Sequence, residues 1–270
     1  MRGARVVDEM VPPREEAIAT WRTTHRPSRA YVAHRRAIEK LKLQRLSLFI
    51  SSLKILVILL LAVYAFHFPS VASLPHADVL TVDMTGLKDD SRDYLYNLLD
   101  RSGLSHVTYN SMGIENLKLL TTGGYHFVVI WGHSGINDVA TSEPYSPFYH
   151  VSEQLAGQVG KYHVGGKDYF SMEPAFIDRM AGRFQGAVIL LMGCNTMTQP
   201  ELAQAFVNKG ASIVIGWRGL VSLSVADMAV VSVFQKVLTE HQMTGQAVSE
   251  TTSLLYSMGM ETGLSAYTAA

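Results

Sequence analysis

The sequence predicts an α/β domain built on a mostly parallel sheet, preceded by one apolar helix long enough to cross a bilayer. Three observations carry that expectation. Two unbroken apolar runs, Phe127–Trp131 (FVVIW) and Ala187–Met192 (AVILLM), each stop at a glycine, which suits strands buried on both faces. Short apolar runs alternate with helix-like segments from residue 77 onward, and alternating β and α favours a parallel sheet covered on both sides. Residues 46–68, LSLFISSLKILVILLLAVYAFHF, contain a single Lys and no Arg, Asp or Glu.

The totals exclude some functions. The 270 residues hold 23 basic and 23 acidic side chains, so nothing global argues for a nucleic-acid partner. One cysteine, Cys194, rules out an intramolecular disulfide framework and a cysteine-based zinc site. No cofactor and no metal site is expected.

Residues 1–45 read as a basic tail, with eleven Lys or Arg against five Asp or Glu. Pro12, Pro13 and Pro27 make its first part irregular, and from Ser28 the text is helix-permissive. Residues 46–68 follow as the expected transmembrane helix. At 1.5 Å per residue they reach about 34 Å, against a hydrocarbon core of about 30 Å. Their fifteen Leu, Ile, Val and Phe residues contribute about −5 to −9 kcal/mol on an insertion scale. Lys54 costs about 3 kcal/mol at most, and less where its chain snorkels toward the basic end. The basic flank places the N-terminus in the cytoplasm and the rest outside it, with the bilayer as a partner. Ser70-Val71-Ala72 resembles a leader cleavage site, but a 45-residue flank is far longer than an ordinary leader carries.

Residues 69–76 read as a linker and 77–270 as the folded domain. Within it the strands are expected at Ala77–Met84, His106–Asn110, Phe127–Trp131, Ala187–Met192 and Ala211–Trp217. Helices are expected at Asp89–Arg101, Gly113–Thr122, Glu173–Phe184, Pro200–Asn208, Ser224–His241 and Thr244–Ser257. Caps mark several ends, such as Gly103 beyond the first helix and Pro200 in the first turn of the fourth. Residues 136–172, rich in Gly, Tyr, Ser and His, break the rhythm as a long insertion, with hairpins expected around 157–160 and 164–167. Insertions of that length beside a site are usually functional.

The chemistry concentrates where two strands end. After Trp131 come Gly132, His133, Ser134 and Gly135; after Met192 come Gly193, Cys194, Asn195 and Thr196. If the two strands are parallel neighbours about 4.8 Å apart, an imidazole and a thiol share one rim of the sheet. That is the arrangement of a Cys/His nucleophile pair. An ordinary thiol is only about 3% ionised at neutral pH, so His133 would take its proton or pair with the thiolate. Backbone amides of Ser134, Gly135 and Cys194 are the natural donors to an oxyanion. The plainer reading makes Cys194 a small buried hydrophobe and His133 a loop residue.

Apolar run–His–Gly followed by apolar run–x–Cys resembles the caspase-like cysteine peptidases, nearest to the CHAT-domain and gingipain side. Cys194-Asn195-Thr196 and the later unit of Gly210, Ala211, Trp217 and Asp227 carry the likeness, which spans about 77–260. It implies a caspase-like three-layer sandwich, a polypeptide substrate and cleavage through an acyl-enzyme on Cys194 with His133 as base. It further implies that Trp217, Ser222 and Asp227 shape a substrate pocket, although Asp227 could instead cap a helix. One departure stands out: the relatives place Gly directly after His, and here Ser134 intervenes. If that backbone needs a positive φ, Ser134 is strained. Two alternatives remain: an inactive scaffold domain, and a serine hydrolase using Ser134, which lacks the Gly-x-Ser-x-Gly spacing.

Overall fold

The computed structural model describes residues 29–67, 74–87, 91–260 and 263–268, with side chains in the first stretch described from Ile38 to Leu59. The chain divides into two units, Met1–Ser70 and Val71–Ala270. In the first unit one helix, α1, runs Arg29–His67 without a break. No proline interrupts it. Its apolar side chains from Leu46 to Leu59 are 45–68% exposed. Among the described residues no helix is long and apolar enough to cross a membrane. The side chains of the expected span after Leu59, and those of the expected irregular tail before residue 29, lie outside the described residues.

The second unit is α/β. Its six-stranded sheet runs β2-β1-β3-β7-β8-β9, with β1 Val79–Asp83, β2 His106–Tyr109, β3 Phe127–Trp131, β7 Val188–Met192, β8 Ile213–Trp217 and β9 Leu264–Thr268. Every pair is parallel except β8 with β9. Alternation along each strand builds two apolar cores. Leu80, Val82, Val128, Ile130, Ile189, Leu191 and Val214 face one side. Val79, Val129, Trp131, Val188, Leu190, Met192, Ile213, Ile215 and Trp217 face the other. This is why the runs read as unbroken apolar text: each strand needs oil on both faces.

Helices α2 Ser91–Arg101, α7 Leu223–Leu238 and α8 Thr244–Ser257 cover the second core. The first is closed by α3 Ile114–Leu117, α5 Pro174–Arg179 and α6 Glu201–Asn208. The insertion folds as a small antiparallel sheet, β4-β6-β5, from β4 Val139–Pro144, β5 Val159–Val164 and β6 Lys167–Met172, with α4 Val151–Leu155 between the first two. Phe170, Met172, Val139 and Val159 anchor it on the first core.

Several expectations change. The hairpin at 164–167 forms, with Gly165 and Gly166 at φ 58 and 74. None forms at 157–160, where α4 ends and β5 begins. The helices expected at 113–122 and 173–184 stop after four and six residues. β9 was not expected at all. The linker is not wholly a linker: Leu74 is buried in the first core, and the Tyr125 hydroxyl donates to Pro75 O at 2.8 Å.

Candidate active site

β3 and β7 pair in register, Phe127 opposite Val188 through Trp131 opposite Met192. The offset is 61 throughout, since 188 − 127 and 192 − 131 both give 61, and His133 and Cys194, also 61 apart, follow the two strand ends. Both lie beyond the ladder, in the loops that follow Gly132 and Gly193. The loops that carry them touch: Ser134 Oγ donates to Cys194 O at 2.6 Å. Gly193 permits the approach, because a Cβ there would fall 2.2 Å from Ser134 Oγ and 2.4 Å from Gly132 O.

The Cys194 loop is laced to the loop after β8. Asn195 N donates to Gly219 O at 2.8 Å, and Met197 N to Trp217 O at 2.9 Å. Thr196, fully buried, accepts from Trp217 N at 3.0 Å, and its hydroxyl lies 3.3 Å from both Leu191 O and Gly193 O. Cys194 is partly exposed. Its Sγ accepts from Val221 N at 3.5 Å and lies 3.6 Å from Val221 O. His133 is exposed, and among the described residues its ring has no hydrogen-bond partner.

The strain expected at Ser134 is absent. Among the described non-glycine residues only His150, Gln185, Asn195 and His241 have positive φ. Asn195, at φ 61, turns the chain immediately after Cys194, and Asn tolerates that region better than most residues. The three expected oxyanion donors divide. Gly135 N is taken, donating to Asp138 Oδ1 at 2.8 Å and to Asp138 O at 3.2 Å. Among the described residues the amides of Ser134 and Cys194 have no intramolecular acceptor.

The expected substrate trio needs correction. Asp227 is 2% exposed and accepts from Trp131 Nε1 at 2.6 Å. Arg92 Nε lies 3.7 Å from the same carboxylate, the Arg92 guanidinium pairs closely with Asp83, and it stacks 4.8 Å from the Trp131 ring. Asp227 therefore belongs to a buried charged layer with Arg92 and Asp83, closed to solvent. Trp217 is buried in the second core. Ser222 is exposed, and its hydroxyl accepts from Val225 N at 3.4 Å. That makes Ser222, and not Asp227, the cap of α7.

Residues that the sequence reading passed over complete the rim. Tyr162 of β5 leans on Gly135: a Cβ there would lie 3.8 Å from its Cε2. Burial, with Asp138 and Cys194 nearby, pushes its phenol above the usual range. Half-buried Glu173 is pushed up to about 7, first by burial and then by Asp138 beside it, against a weak Ser171 hydrogen bond. A cleft of about 390 Å³ opens next to His133, between Met84–Gly86 after β1, Asn110 and Ser111 after β2, and Thr141 and Tyr169 of the small sheet. The chain leaves β1 for β2 on one side and reaches β3 on the other, so this is the topological switch point where open α/β sheets bind ligands. The signal was readable, since the lining includes the residues that follow three strand ends. No family model matches the chain, and none of the curated proteins matches it significantly.

Proposed function

We propose that the domain is a cysteine endopeptidase of caspase-like type, with Cys194 as nucleophile and His133 as general base or ion-pair partner. The observation that carries this reading is the in-register β3–β7 pairing, with His133 and Cys194 in the loops that leave the carboxyl ends of those neighbouring strands and meet at Ser134 Oγ and Cys194 O. The thiol attacks the substrate carbonyl, His133 takes the thiol proton and returns it to the leaving amine, and water releases the acyl group from Cys194. The free amides of Cys194 and Ser134 are the donors for the oxyanion. The switch-point cleft beside His133 receives part of the polypeptide. Ser134 is no rival nucleophile: it is 4% exposed and its hydroxyl is committed to Cys194 O. We further propose that α1 anchors the chain in a bilayer, with the basic tail cytoplasmic and the peptidase outside. Its exposed apolar stretch Leu46–Leu59 supports this, because such a surface is costly in water.

Quenched fluorescent peptides test the first proposal. The native chain and Ser134→Ala are expected to cleave them, and Cys194→Ala and His133→Ala are not. Cleavage that survives Cys194→Ala refutes it, and a folded native chain that cleaves nothing leaves the scaffold reading.

A further inference from the structure

A second cluster lies away from the rim, where α3, the end of β4 and the start of α4 meet. Ligand atoms of Glu115, His150 and Glu153 lie within 4.8 Å of one another. The His150 side chain is 10% exposed, and its ring packs edge-on against Phe170 with centroids 5.0 Å apart. Its Nε2 lies 2.8 Å from Glu143 Oε1. The other oxygen of Glu143 accepts from Ile114 N at 2.9 Å, so this carboxylate is held from both ends. An ionised carboxylate only accepts, so Nε2 carries the hydrogen. Nδ1 makes no hydrogen bond among the described residues and lies 3.4 Å from Glu115 Oε1.

That spacing is informative. A charge-assisted N–H···O bond is about 2.7–2.9 Å, so 3.4 Å is too long for a good one. Two ligands of one tetrahedral cation, each about 2.0–2.1 Å from it, sit about 3.3–3.4 Å apart. Lys118 Nζ now supplies the positive charge, 2.8 Å from Glu115 Oε1 and 2.6 Å from Glu153 Oε1. It brings one charge to two carboxylates, on a flexible stem that is 31% exposed.

We propose that Glu115, His150 Nδ1 and Glu153 form a site for a divalent first-row metal cation of the Zn²⁺ class, gated by Lys118, which must swing out for the metal to enter. One imidazole with two carboxylates suits Zn²⁺ and disfavours the all-oxygen cations Ca²⁺ and Mg²⁺. Glu143 on the far ring nitrogen is the outer partner that metal-bound histidines ordinarily have. The bound cation would tie α3 to α4 and so fasten the insertion beside the switch-point cleft. This site stands independently of the peptidase reading.

Zn²⁺ alone is titrated into the full chain in detergent, in a Cys194→Ala background so that the lone thiol takes no metal. Lys118→Met is expected to bind one Zn²⁺ per chain, at least tenfold tighter than its parent. Adding His150→Gln abolishes that binding, and adding Glu143→Gln weakens it by about 10–100-fold. A Lys118→Met chain that binds no Zn²⁺, or binds it equally with Gln at 150, overturns the proposal. Should Lys118→Met fail to melt cooperatively, the parent decides. A Zn²⁺-dependent rise in Tm that His150→Gln removes supports the site; no rise, or an equal rise in His150→Gln, refutes it.

Discussion

Thr196→Val removes the one side chain that pins the Cys194 loop to β8 while keeping its shape. The hydroxyl accepts from Trp217 N at 3.0 Å and sits 3.3 Å from Leu191 O and Gly193 O, all in buried residues. Valine leaves the Trp217 amide buried without a partner, which costs about 1–3 kcal/mol, and forfeits a donated bond worth about 1 kcal/mol more. The sum is about 2–4 kcal/mol. For a domain of this size each kcal/mol moves Tm by about 2–4 °C, so a fall of about 4–16 °C is expected in calorimetry. Thr196→Ser keeps the hydroxyl and loses one methyl, about 1 kcal/mol, and is the control. The peptidase reading adds a second expectation: Thr196→Val lowers kcat well below that of Thr196→Ser, because the nucleophile's loop is no longer held. Equal melting temperatures for the two variants would refute the hydrogen-bond account of this loop.

Other variants probe the rest of the rim. Gly193→Ala places a methyl 2.4 Å from Gly132 O, a backbone atom that cannot step aside. It should cost about 1–3 kcal/mol and suppress cleavage more than Gly245→Ala, where no atom lies within 4 Å of the new Cβ. Glu173, pushed up to about 7 from 4.5, holds a proton in the folded chain that the unfolded chain has released. Its contribution is therefore full below about pH 4.5 and lost as pH rises through about 7. Partial exposure keeps the slope under the about 1.4 kcal/mol per pH unit of a whole proton. Glu173→Gln should flatten that part of the stability–pH profile, and an unchanged slope in denaturant melts would count against it. Asp227→Asn keeps an acceptor for Trp131 but removes a buried charge beside Arg92, and should lower Tm without changing which peptides are cut. An altered cleavage preference would return Asp227 to the substrate.

The sheet was readable because its strands are buried on both faces, and burial on both faces leaves uninterrupted apolar text such as Phe127–Trp131 and Val188–Met192. That the loops carrying His133 and Cys194 leave neighbouring strand ends was readable for the same reason, since each apolar run stops at a glycine. Edge and insertion strands carry no such text. β9 has one buried residue, Leu264, and then alternates partly buried and exposed positions, and β4–β6 are half-exposed, so neither stands out. Asp227 looked like a pocket or capping residue because its partner Arg92 is 135 positions away, and no local pattern links them. The possible strain at Ser134 came only from the family likeness, and no local text showed that Asn195, after Cys194, takes a positive φ. Gly135 was counted as an oxyanion donor because local text cannot show that Asp138 folds back onto its amide.

Cys194 is the only cysteine in the chain, so alkylation by iodoacetamide followed by mass spectrometry reads its reactivity without background. On the peptidase reading, the native chain should be modified at neutral pH at least tenfold faster than His133→Ala, while Tyr162→Phe stays within a fewfold of native. Equal rates for the native chain and His133→Ala, both folded, would mean that the two strand ends share a rim but not a reaction.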